Sequence, residues 1–295
     1  MKISTKLILL FILFASAYTA SAQVKYGVSF DRERYLQYEK IKATLTIVNN
    51  SGARLNFGQD ESTGKLKMLV IDPKNTMVKP RLKHFNPMNG LVLAAGETKA
   101  LTFNLNEHFR MSRIGRYKIS ASLSHPAIGG LAFEIPEQDI SIEPGSLLHK
   151  NSFGVSDIND PNTITSRHYE ILTFKEDQHN ILCLKVYDKN WIHGLQRIGP
   201  YVQGVKLHHD VDTFTNIHTL VQVKPRVFIH MIFSNEGRLK QFVVYRATFD
   251  DVPQMNRNPK LGTLTINGGS KLIEGVDYVK NGTMIELKDF EADIN

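Results

Sequence analysis

The 295-residue sequence has a single cysteine, Cys183, so no internal disulfide can form and the fold must rest on its packed core. That cysteine lies in the apolar run Ile181-Leu182-Cys183-Leu184-Lys185-Val186, which predicts a buried, inert thiol rather than a nucleophile. Tryptophan is equally scarce, with Trp191 alone. Several catalytic signatures are missing. There is no Gly-x-Ser-x-Gly elbow for a serine hydrolase, no His-Glu-x-x-His helix for a zinc peptidase and no phosphate-cradling glycine loop ahead of a helix. Nor is there a basic stripe interleaved with stacking aromatics, so nucleic acid is not an expected partner. Beyond the first 22 residues no apolar run approaches the ~20 residues of a membrane span.

What is present begins with an address. Lys2 and Lys6 precede the uncharged run Leu7 to Ala17, and Ala20-Ser21-Ala22 stands before Gln23 as a small-x-small cleavage signal. This order predicts a secretory signal peptide over 1–22 and a secreted or periplasmic protein starting at Gln23. The residue directly after the cleavage site is Gln23 and not a cysteine, so a bacterial lipoprotein anchor is not expected. At 42% hydrophobic and 22% charged, the chain can bury a sizeable core. The formal charge is +7, and the two leader lysines account for 2 of it. The basic residues, among them Lys79, Arg81, Lys83, Arg110, Arg113 and Arg116, are scattered along the sequence rather than packed into a tract. Such an excess points mildly to an anionic surface or polymer; a soluble basic protein with no charged partner is the simpler reading.

The first half reads as short strands between polar turns. Ile41 to Val48 alternates, with Ile41, Ala43, Leu45 and Ile47 on one face. Lys65 to Ile71 stops at Asp72-Pro73, Ala100 to Leu105 alternates again, and Arg116 to Leu123 opens after Gly115 with Tyr117, Ile119, Ala121 and Leu123 inward. Strands at this spacing without an amphipathic helix predict a β-sandwich. The strand ending in Val48-Asn49-Asn50, the turn Ala95-Gly96-Glu97 before Leu101-Thr102-Phe103, and Gly115-Arg116-Tyr117 resemble bacterial immunoglobulin-like modules over about 24–143. The resemblance implies a sandwich with Tyr117 as an anchored tyrosine, and is silent about activity. Glu143-Pro144-Gly145-Ser146 marks a boundary, and the polar stretch after it predicts a linker or long loop over 146–164.

The second half, 165–295, reads as a β-meander. His168 to Thr173 followed by Ile181 to Tyr187 looks like Ile217 to Gln222 followed by Val227 to Phe233, with an offset of 50 between His168 and His218. That period suits four-stranded propeller blades, and two blocks are too few to close a propeller. A two-blade fragment, a compact meander and a chance likeness all remain open. The runs Asp212 to Leu220, Phe228-Ile229-His230-Met231, Glu236-Gly237-Arg238-Leu239 and Ile266-Asn267-Gly268-Gly269 resemble propeller repeats. On them the chain is similar to a type of exported bacterial protein with an immunoglobulin-like front module and propeller-blade-like C-terminal repeats. The resemblance implies the fold and carries no catalytic residue.

Two constellations stand out. In His208-His209-Asp210-Val211-Asp212, a strand would put His208, Asp210 and Asp212 on one face, a start for a divalent metal site. The plainer reading is a polar strand edge with a turn at Asp212-Thr213. Trp191 follows Asp188-Lys189-Asn190 in a turn, and with Tyr187, His193 and Tyr201 would line a shallow binding site; the plainer reading folds the indole over the core edge. The expectation is an all-β exported protein that binds a glycan or cell-envelope protein without catalysis and without a cofactor. The alternatives are a metal-assisted hydrolase built on His208, Asp210 and Asp212, and an oligomer that covers open sheet edges.

Overall fold

The computed structural model describes residues 24–82, 85–128, 133–157, 160, 162–176, 178–282 and 284–288. The expected leader, 1–22, lies outside them. The protein is all-β, and its described residues include a single α-helical turn, α1 (Leu105–His108). Among the described residues no helix is long and apolar enough to cross a membrane, and no sheet closes into a barrel. The chain divides into two compact units, Met1–Glu143 and Pro144–Asn295.

Unit 1 contains β1 (Val24–Phe30), β2 (Arg34–Leu36), β3 (Lys42–Asn49), β4 (Leu55–Asn56), β5 (Lys65–Ile71), β6 (Val92–Leu93), β7 (Thr98–Asn104), β8 (Gly115–Ser124) and β9 (Phe133–Glu143). One sheet has the order β1-β3-β7 and the other β2-β9-β8-β5; β4 and β6 form a short pair. All pairings are antiparallel except β2 with β9. Alternation explains the layering. Ala43, Leu45 and Ile47 of β3 are buried against Leu66, Ala121 and Leu123 of the other sheet, since successive side chains point to opposite faces. A second cluster gathers Tyr35, Ile41, Val70, Leu105, Phe109, Tyr117 and Ile119. Asn49, fully buried, pins the end of β3. Its Nδ2 donates to the carbonyls of Ala53, Leu93 and Ala94, and its Oδ1 accepts from Ser51, which satisfies an amide that burial would otherwise penalise.

Unit 2 contains β10 (Ser146–Ser156), β11 (Ile164–Glu176), β12 (His179–Tyr187), β13 (Ile192–Pro200), β14 (His208–Val211), β15 (Ile217–Lys224), β16 (Val227–Phe233), β17 (Leu239–Arg246), β18 (Gln254–Arg257), β19 (Leu264–Asn267), β20 (Ser270–Leu272), β21 (Tyr278–Asn281) and β22 (Met284–Leu287). The expected linker over 146–164 is largely β10, paired with β11 from Ser146↔Thr173 to Ser156↔Ile164. The strand offers no apolar alternation to read because it buries almost nothing; backbone pairing holds it. The unit has two antiparallel meanders in sequence order, β10-β11-β12-β13 and β14-β15-β16-β17, the second extended by β20. Their inner faces share one core: Tyr169, Ile171, Leu182, Leu184 and Val186 from the first, Val221, Ile229, Met231 and Phe233 from the second. The two similar sequence blocks thus form the second and third strands of successive meanders. Tyr169 and Ile171 of β11 are buried, as are Thr219 and Val221 of β15, each 50 positions on. Cys183 is buried, as expected.

Candidate binding site

The β12–β13 turn, Asp188-Lys189-Asn190-Trp191, is organised by one carboxylate. Asp188 Oδ1 accepts the backbone N–H of Asn190 and of Trp191, both at 2.8 Å, an Asx-type turn. Its Oδ2 meets His193 Nε2 at 2.6 Å and Arg167 at 4.0 Å. The His193 hydrogen bond, followed by the Asn190 N–H, holds the carboxyl at a pKa of about 2. On this fixed turn Trp191 is 72% exposed. The indole is presented to solvent rather than folded over the core edge.

The other expected partners of Trp191 have different roles. Tyr187 donates its hydroxyl to Glu170 Oε1 at 2.7 Å and lies under the Lys185 ammonium, 4.7 Å from the ring centroid. It belongs to a cross-strand polar network, with Lys185 bonded to Glu170 at 3.1 Å. His193 is engaged by Asp188. Tyr201 follows the far end of β13, where its N–H donates to the Asn180 carbonyl. At about 3.3 Å per residue, ten residues of near-extended chain put it ~30 Å from Trp191. The expected four-residue site is therefore not assembled: Trp191 and His193 share a turn and Tyr201 is at the opposite end.

A second turn repeats the first. Asp212 Oδ1 accepts the N–H of Phe214 at 2.9 Å and of Asn216 at 2.8 Å. Its Oδ2 takes Asn216 Nδ2 at 2.9 Å and His218 Nε2 at 3.1 Å. Burial alone would raise this carboxyl, but the Asn216 side-chain and backbone donors, then His218, hold it below its ordinary value. His218 Nδ1 in turn lies 3.1 Å from His230 Nε2, so that Asp212, His218 and His230 form a buried chain. Burial first, then the neighbouring His218 and Lys271, push the His230 pKa down to about 4. Phe214 at the tip is 69% exposed. Both turns thus tie an aspartate to a histidine across a hairpin and expose an aromatic. The sequence signal was present, as Asp-x-x-x-Ile-His at 188–193 and Asp-x-x-x-x-Ile-His at 212–218.

The turns lie together at one end of unit 2. Arg167 donates to the Asn235 carbonyl at 3.1 Å, and Asn235 Nδ2 to Thr215 Oγ1 at 3.2 Å. Gly194 packs so tightly on the 234–237 turn that an added Cβ would stand 2.4 Å from the Glu236 carbonyl oxygen.

The expected metal triad is divided. His208 and Asp210 share a face of β14, opposite Leu220 and His218, and line a cleft of ≈ 270 Å³ with Lys206, Met255 and Arg257. Asp210 is held there by Arg257 at 2.8 Å, and Asp212 is drawn into its own turn. Among the described residues no three His, Cys, Asp or Glu side chains form a group arranged to hold a metal ion.

No family model matches the chain, and no curated protein matches it significantly. Among solved structures, Spo0M, a sporulation control protein from Bacillus subtilis, matches at 11% identity and a TM-score of 0.27, over 62% of this chain and 91% of that one. The YadV chaperone matches at 8% identity and a TM-score of 0.24, over 72% of this chain and 96% of that one. Likenesses this slight carry no argument about fold or function.

Proposed function

We propose that this is an exported, non-catalytic binding protein of the periplasm or cell surface, and that it engages a glycan of the cell envelope at the turn end of unit 2. Trp191 carries the reading: an indole 72% exposed on a turn that its own aspartate has already ordered. A flat aromatic face suits the C–H side of a sugar ring, and an ordered turn loses little entropy when the ligand arrives. Phe214, on the matching turn, offers a second apolar surface at that end. Export rests on the leader-like first 22 residues.

On the finer fold, we read unit 1 as an immunoglobulin-like sandwich. The Tyr117 hydroxyl donates to the Arg113 carbonyl and accepts the Arg113 N–H, both at 3.0 Å; a tyrosine bonded to backbone a few residues upstream is the corner such sandwiches use. We read the two meanders of unit 2 as two propeller-like blades. The test is titration of soluble cell-wall saccharides into the parent and Trp191→Ala proteins by calorimetry. Binding to the parent that falls at least tenfold in the variant supports the reading. Saccharide binding untouched by the substitution, or no saccharide binding at all, overturns it.

A further inference from the structure

In unit 1 the fold gathers basic residues that the sequence scatters. Pro80 pairs with Phe109 in an antiparallel bridge, and the Arg81 N–H donates to the His108 carbonyl at 2.7 Å. This register sets Lys79 beside Arg110. Together with Arg81 and Arg113 they line a cleft of ≈ 470 Å³ whose wall also includes Asp72, Ser112 and Tyr117.

Among the described residues the side chains of Lys79, Arg81 and Arg110 have no ion-pair or hydrogen-bond partner. Like charges held close together repel, and a bound anion would offset that repulsion. The fourth cation is fixed in place. Arg113 pairs with Asp72, which is 6% exposed. Asp72 also accepts the N–H groups of Lys74 and Thr76 at 2.9 Å each. The Arg113 backbone is clamped by the Tyr117 hydroxyl. One guanidinium held by Asp72 and three uncommitted cations around a concavity match a ligand with several negative charges. Guanidinium groups offer the forked donors that phosphate oxygens accept.

We propose that this cleft binds a ligand carrying two or more phosphate groups. A soluble or polymer-borne oligophosphate and a phospholipid headgroup with two phosphates present the same chemistry, and exposed Met77 in the cleft wall suits the uncharged part of either. The proposal does not depend on the turn end of unit 2.

The experiment is calorimetric titration of sodium tripolyphosphate into the full chain at 0.05 and 0.15 M salt, alongside Arg81→Gln/Arg110→Gln and the control Lys42→Gln, which changes an exposed cation of β3. Circular dichroism and thermal melting establish that the variants fold. The expected result is binding that weakens with salt, as screening of exposed charges requires, falls at least tenfold in the double variant and is unchanged in the control. Sedimentation with cardiolipin vesicles, whose headgroup carries two phosphates, identifies the source. Vesicle binding that tripolyphosphate displaces supports the cleft with a lipid headgroup, and tripolyphosphate binding without vesicle binding supports it with a soluble or polymeric phosphate. No binding of either probe, or binding that the double variant retains, overturns the proposal. Vesicle binding without any tripolyphosphate binding overturns it in favour of a membrane surface elsewhere on the protein.

Discussion

Acidifying the protein should unload a specific part of its stability through His230. This imidazole is 5% exposed on the outer face of β16, and Asp212, His218 and Lys271 are the charged or titratable groups that act on it directly or through the chain. One tautomer arrangement satisfies the chain. His218 donates from Nε2 to the Asp212 carboxylate, and its Nδ1 accepts the His230 Nε2–H; burial, not this bond, is the main reason His230 resists a second proton. The His230 pKa is about 4 in the folded protein, against 6.5 for an unperturbed histidine. A depressed histidine means that the unfolded chain takes up the proton first. The associated stability is therefore fully present above pH 6.5 and is lost as pH falls toward 4. At 1.36 kcal/mol per pKa unit, the loss from this group between pH 7 and pH 4.5 is about 2–3 kcal/mol. The glutamine amide of His230→Gln would donate to His218 without titrating. Urea unfolding of parent and variant at both pH values, followed by circular dichroism, gives the double difference. The variant should lose about 2–3 kcal/mol less than the parent over that interval. A double difference below about 0.5 kcal/mol, within the scatter of ordinary surface substitutions, would refute the argument.

Three further outcomes follow from named contacts. Tyr117→Phe removes a hydroxyl bonded to both the N–H and the carbonyl of Arg113, and should destabilise unit 1 by about 1–2 kcal/mol in urea titrations; an unchanged midpoint would contradict the anchoring role. Gly194→Ala forces a Cβ to 2.4 Å from the Glu236 carbonyl oxygen, whereas Gly27→Ala meets nothing within 4 Å. The first should cost about 1–3 kcal/mol by overpacking, and equal thermal melting of the two variants would count against the packed turn end. Arg110→Gln relieves repulsion with Lys79 and should raise stability without ligand by a few tenths of a kcal/mol; a loss of stability would mean that Arg110 has a structural partner.

Strands that bury one face were legible in the sequence. Ile41 to Val48 and Arg116 to Leu123 became β3 and β8 with the expected residues inward, because period-two alternation is a direct print of a half-buried sheet. Ala100 to Leu105 was nearly right: β7 runs Thr98–Asn104, and Leu105 instead opens α1 and is buried there. The strand β10 was missed because its side chains remain largely exposed. The candidate sites were harder to read because they depend on pairing across the fold. Asp210 is paired with Arg257, 47 positions later, and Asp212 is hydrogen-bonded by its own turn and by the histidine behind it. Neither partner follows from spacing along β14. The basic cleft is the converse case, since residues near 80 and near 110 look scattered until the Pro80–Phe109 bridge sets them side by side. Exposure of Trp191 was half legible: Asp188 ahead of it marks a turn, but not which way the indole points.

Trp191 is the sole tryptophan, so its fluorescence reports on the proposed binding end alone. The most direct measurement is acrylamide quenching of this emission with and without soluble cell-wall saccharides. The expected result is an indole readily quenched in the free protein and shielded when saccharide binds. Quenching that saccharide leaves unchanged at saturating concentration would contradict it.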